Sequence, residues 1–165
     1  MDCTPRLRLP FLVPGQAQKE LFHNASLQEM DSLVAAAVHG PPTAKAPASP
    51  VPGECFLVGP EAVGDWAGHE DCLAAYTRGG WRYVRPFEGL HVYVKDSGTW
   101  AVFRTGRWQI GTVCGDQLQI GGQRVVGDRQ SAIASPSGGK TVDLEARKTI
   151  EALLGALRSH GLIES

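Results

Sequence analysis

Two short stretches of this 165-residue chain carry chemistry-bearing residue types at close spacing. Ser137-Gly138-Gly139-Lys140-Thr141, set before a helical stretch, has the ending of a phosphate-binding loop. Such a loop needs a Gly five positions before Gly139, so that backbone N–H groups wrap the phosphates, and Ala134 stands there. The stretch therefore reads as the capped start of a helix. His69-Glu70-Asp71-Cys72 gathers metal-ligand types, but neighbours on a strand point to opposite faces and do not converge on one ion. The other histidines, His23, His39, His91 and His160, have no ligand-like spacing.

Glu54, Glu61, Asp65, Glu70, Asp71 and Glu88 include the acids a glycosidase pair would need, but on Gly-rich loops they read as solvated. There is no Gly-x-Ser-x-Gly, and no Cys/His or Ser/His/Asp set shows in the local pattern. The residues thus point to no enzyme, no cofactor and no metal. The aromatic pattern is more telling. Gly80-Trp81, Gly98-Thr99-Trp100 and Gly106-Arg107-Trp108 each place a Trp just after a Gly turn, and Asp65-Trp66-Ala67-Gly68 is a looser fourth case. Such rings either close the ends of a small core or stack on the apolar faces of sugars. Trp66, Trp81 and Tyr83 are the candidate glycan contacts.

Composition narrows the partners. The net charge is −1 and no run of five Lys/Arg exists, which argues against nucleic acid. No apolar run reaches membrane-spanning length, so no membrane insertion is expected, and no signal-peptide pattern is present. Cys3, Cys55, Cys72 and Cys114 are widely and irregularly spaced, as expected of reduced thiols made in a cytoplasm and used mostly as core fillers.

The elements follow from periodicity and turns. Residues 1–15 hold an apolar strip bracketed by Pro10 and Pro14, with Leu9, Phe11, Leu12 and Val13 able to meet another surface or fold home. Residues 16–38 read as helical in two pieces, the second capped by Asn24, with Leu27, Met30, Val34 and Ala37 on one face and Gly40-Pro41-Pro42 as the stop. Residues 40–53 carry five prolines and read as a stiff spacer.

Residues 54–113 read as a meander of short strands with Gly-containing turns. A Thr105-Gly106 loop would set Phe103 opposite Trp108 and Ala101 opposite Ile110 on one buried face, with Arg104 and Arg107 outward. Gly121-Gly122 marks a further hairpin. A helix from about Leu144 to His160 starts at Asp143 and ends at Gly161, where Leu162 would press on Leu157 in a Schellman motif. Its apolar face is Ala146, Ile150, Leu153, Leu154 and Leu157. A lone helix of this length is marginal in water, so it must pack on the meander or on copies of itself.

Several motifs run in a recognisable order. They are Leu9-Pro10-Phe11 through Gln16-Ala17-Gln18-Lys19-Glu20 and His23-Asn24, then Ala48-Ser49-Pro50, Phe56-Leu57-Val58-Gly59, Trp66-Ala67-Gly68, Gly80-Trp81-Arg82 and Glu88-Gly89. Val125-Val126-Gly127, Thr141-Val142-Asp143 and Leu153-Leu154 to Leu162-Ile163 close the set. The whole resembles a family of small tail-fibre or spike-like proteins from gene transfer agents and related tailed bacteriophages. The resemblance implies a structural virion protein without enzymatic activity, in some members a homotrimer, attached to the adsorption apparatus.

Together these readings give a mainly β fold with flanking helices, as an elongated homotrimer. Residues 1–39 are the attachment arm and helix, 40–53 the Pro-rich spacer, 54–128 an antiparallel β domain, and 129–165 a loop and C-terminal oligomerisation helix. Leu9, Phe11, Leu12 and Val13 would dock on a baseplate or hub protein. Leu27, Met30, Val34, Ile150, Leu153 and Leu157 would line the oligomer interface. The expected place is the tail tip of a virion, with host adsorption as the role. The alternative is a carbohydrate-binding spike module for host surface polysaccharide.

Overall fold

The computed structural model describes residues 2–12, 19–139 and 143–164. The chain divides into two compact units, Met1–Val113 and Cys114–Ser165. The expected boundaries differ: arm, helix, spacer and meander form one unit, and the Gly121-Gly122 hairpin belongs with the C-terminal helix.

The first unit opens with a tight N-terminal loop. Thr4 N–H donates to Leu9 O and Phe11 N–H to Asp2 O, each at 2.9 Å, and Cys3 faces Pro10 across an antiparallel bridge. Helix α1 (Lys19–Leu33) follows as one piece. Asn24 lies inside it and does not cap it: its side chain accepts from Leu12 N–H at 2.9 Å and donates to Leu12 O at 3.1 Å.

The helix stops before Gly40-Pro41-Pro42. Ala35 takes a φ of 48°, which breaks the helical run. The guanidinium of Arg6 then donates to the carbonyls of Asp31, Ser32, Val34 and Ala35. These are the acceptors a helix end leaves orphaned, and a cation suits that end of the dipole. Asp31, which is buried, accepts from Thr4 Oγ1 at 2.8 Å, Arg6 N–H at 3.1 Å and Leu7 N–H at 2.5 Å.

Two four-stranded sheets come next. One has the order β1 (Ala37–Val38), β6 (His91–Val94), β7 (Thr99–Arg104), β8 (Arg107–Ile110). The other runs β2 (Thr43–Lys45), β3 (Cys55–Val63), β4 (Leu73–Thr77), β5 (Gly80–Val84). The expected hairpins are present, and β7 pairs with β8 at Phe103–Trp108, Ala101–Ile110 and Arg104–Arg107. Ala101 is fully buried and both arginines are exposed, whereas Ile110 at that end is 36% exposed.

Neither sheet is wholly antiparallel. β1 lies parallel to β6 and β2 parallel to β3. Ala37, expected on the helix, is thus in a strand. The expected spacer also contains β2, which sits at a sheet edge, where Pro-rich flanks are tolerated. Gly59 permits this pairing, because a Cβ there would lie 3.0 Å from the Thr43 backbone.

Strand β4 explains the core. Alternate side chains point to opposite faces. Leu73 and Ala75 join Val38, Leu57, Val92, Val94 and Ala101 between the sheets, while Ala74 joins Val58, Cys72 and Trp66 on the other side.

The second unit holds hairpin β9 (Leu118–Ile120) and β10 (Gln123–Val126), then helix α2 (Leu144–Ser159). Asp143 caps α2 by accepting from Ala146 N–H at 2.9 Å. At its end Leu162 N–H reaches Leu157 O at 3.0 Å and Gly161 N–H reaches Arg158 O at 2.9 Å, with Gly161 at φ 69°. This is the expected Schellman motif, and its left-handed position suits Gly. Loop carbonyls of Pro136 and Ile133 accept from Arg147 and Arg158 of the helix.

Candidate functional site

Strand β5 is the last strand of its sheet, so one of its backbone edges is open. A cleft of about 430 Å³ runs along that edge, lined by Trp81, Arg82, Tyr83 and Arg85 on the strand side and by Ala25 and Glu29 of α1 on the other. Gly68 and His69 complete the wall.

The aromatic rings are fixed by neighbours. His69 stacks on Tyr83 with ring centroids 3.6 Å apart and planes 7° apart. The Tyr83 hydroxyl donates to the carbonyl of Asp65. Burial pushes the Tyr83 phenol up from its ordinary range, and Asp65 adds to the shift. Trp81 meets Trp66 edge-on at 5.3 Å and Tyr76 at 5.0 Å. Cys72 borders the cleft, and burial pushes its thiol up while Arg85 partly offsets this.

The candidate glycan residues therefore separate. Trp81 and Tyr83 line the cleft and are half-buried. Trp66 does not qualify: it is 0% exposed, packed against Phe56 and Trp81, and no ligand reaches its ring. Its packing partners come from other strands, a placement that the Trp-Ala-Gly spacing does not reveal. The most exposed tryptophan is Trp100, at 56%.

The other candidates fall as follows. Leu9 and Phe11 are half-buried and Leu12 is exposed, while Val13 lies outside the described residues. The amides of Leu9 and Leu12 are already bonded to Thr4 Oγ1 and Asn24. Of the two courses open to this strip, these bonds tie Leu9 and Leu12 back to their own unit. On α1, Leu27 is half-buried and Met30 is about half exposed; Val34, expected on the same helical face, lies in the turn just past the end of α1 and is about half exposed. On α2, Ile150, Leu153 and Leu157 are exposed, whereas Leu154 is buried. Lys140 and Thr141 of the phosphate-loop-like stretch lie outside the described residues.

His69 to Asp71 form a turn rather than a strand, closed by Cys72 N–H on His69 O at 3.1 Å. Among the described residues, no three or more His, Cys, Asp and Glu side chains group to hold a metal. Among them also, no helix is long and apolar enough to cross a membrane. Arg82 and Arg85 were not singled out from the sequence as site residues, and His69 was weighed there only as a metal ligand. The Arg-x-x-Arg spacing on a strand beside a Gly turn is the signal that was available for the first two.

The model of a family described as a protein of unknown function, DUF2793, matches residues 23–109. No curated protein matches the chain.

Proposed function

We propose, for a chain that belongs to the DUF2793 family, a structural role in a virion or virion-like particle. The chain is a short tail fibre of a siphophage-like or gene-transfer-agent particle, homotrimeric and elongated, anchored to the baseplate or hub and contributing to host adsorption.

One observation carries this reading. In the unit Cys114–Ser165 only Leu154 and Ile163 are buried apolar residues among those described. Ile150, Leu153 and Leu157 form an exposed seam at alternating three- and four-residue spacing, the pattern of a coiled-coil stripe. Leu118, Ile120, Val125 and Val126 of the hairpin are exposed as well. A two-stranded hairpin and a short helix with so little core are marginal alone. Copies of α2 meeting along the seam supply the missing burial, and parallel copies produce a fibre. The order of motifs along the chain supplies the particle context.

A second reading has its own support. Trp81 and Tyr83 line an open cleft, as a carbohydrate-binding spike module for host polysaccharide requires. A glycan array with the wild-type chain and Trp81→Ala separates the two, since a purely structural fibre binds no sugar. The fibre reading is tested by labelling the chain in purified particles. Gold label at the tail tip is the expected result, and label confined to the head or absent from particles overturns it.

A further inference from the structure

The cleft along β5 has a property independent of the fibre reading. Thr77 and Gly80 face each other across the two-residue turn Arg78-Gly79, so they exchange ladder hydrogen bonds. Alternation then makes Ala75–Arg82 and Leu73–Val84 bonded pairs, and Tyr76–Trp81 and Ala74–Tyr83 non-bonded ones. The far side of β4 agrees: Tyr76 gives its N–H to Glu54 O at 2.9 Å and takes Gly53 N–H at 2.8 Å, away from Trp81. The N–H and C=O groups of Trp81 and Tyr83 therefore point to the open edge of the sheet, and both residues line the cleft. None of them has a backbone partner there among the described residues.

Charge selects what fits. Arg82 is exposed and makes no ion pair among the described residues. Arg78 is paired with Asp2, and Arg85 shares a hollow with Glu70 and Asp71. Glu29 stands on the helix wall of the cleft. A second copy is a poor occupant: the two-fold antiparallel register that pairs all five residues of β5 sets Arg82 against Arg82 of the copy, where like charges directly opposite are unfavourable, and registers centred on Trp81 or Tyr83 pair only three residues.

We propose that the open edge of β5 takes an extended peptide of a partner protein as a fifth strand, with a carboxylate of that peptide opposite Arg82. Bonds to Trp81 and Tyr83 give the affinity, and Arg82 reads the sequence. In the new ladder between β5 and the peptide, where Trp81 and Tyr83 make the bonds, the position opposite Arg82 is a non-bonded pair, in which facing side chains come closest.

The probe is a short capped peptide of alternating threonine and valine with a central glutamate, titrated into the full chain by fluorescence anisotropy. It binds about fivefold tighter than the same peptide with lysine at the centre. Arg82→Glu, an exposed change that leaves tryptophan emission unaltered, reverses the preference. Methylating the peptide amides that face β5 abolishes binding. Equal affinity for the two peptides, binding that survives methylation, or no binding overturns the proposal. Slow exchange of the Trp81 and Tyr83 amides in the peptide-free chain also overturns it, because the edge would then already be covered.

Discussion

Replacing Asp31 with Ala probes what holds the N-terminal loop to α1. The carboxylate is buried and accepts from Thr4 Oγ1, Arg6 N–H and Leu7 N–H. Each hydrogen bond to a charged acceptor contributes about 1.5–3 kcal/mol net. The three are coupled, and the two amides regain water when the loop loosens, so the total falls below their sum. The Thr4 side chain, on a residue 0% exposed, loses its acceptor outright. We expect a loss of about 3 kcal/mol, and about half of that for Asp31→Asn, which keeps one acceptor oxygen.

The assay can isolate the first unit, because Trp66, Trp81, Trp100 and Trp108 all lie within Met1–Val113. Urea unfolding followed by tryptophan fluorescence then reports that unit. With a slope of about 1.5 kcal/mol per molar urea, the midpoint falls by about 2 M for Asp31→Ala. A shift corresponding to less than about 1 kcal/mol would refute the assignment of Asp31 as the anchor of this loop.

Two further outcomes follow from burial. Trp66→Ala removes a fully buried ring and costs about 3–5 kcal/mol in the same assay, while Trp66→Phe costs much less, since the indole Nε1 is buried without a hydrogen-bond partner among the described residues. Burial pushes the Cys55 thiol up. The unfolded thiol ionises near about pH 8.5, so above that pH the unfolded chain binds fewer protons and stability falls as pH rises. Cys55→Ala makes this alkaline slope shallower, as read by urea midpoints across the pH range.

Local chemistry was legible wherever a turn or cap acts within a few residues. The Thr105-Gly106 loop fixed the pairing of Phe103 with Trp108, and Asp143 and Gly161 marked the ends of α2. What escaped depends on partners distant in sequence. Thr4 and Asp31 are 27 residues apart, and nothing local marks Arg6 as the group that ends α1. Ala37 and Val38 read as helix because α1 ends early, at Leu33 before the left-handed Ala35, and β2 read as spacer because an edge strand needs little apolar alternation. Trp66 shows the same limit at the candidate site, since its neighbours Phe56 and Trp81 come from other strands. The arm changes most. With Thr4 and Leu7 bonded to Asp31 and Leu12 to Asn24, deleting residues 1–15 would destabilise the first unit.

The claim on which the account turns is that copies of this chain associate along Ile150, Leu153 and Leu157. Sedimentation equilibrium of the full chain at micromolar concentration measures it directly. The account predicts a trimer of the 17.7 kDa chain, reduced to monomer by Ile150→Glu with Leu153→Glu while tryptophan emission from the first unit stays unchanged. A wild-type monomer, or a trimer indifferent to both substitutions, would contradict it.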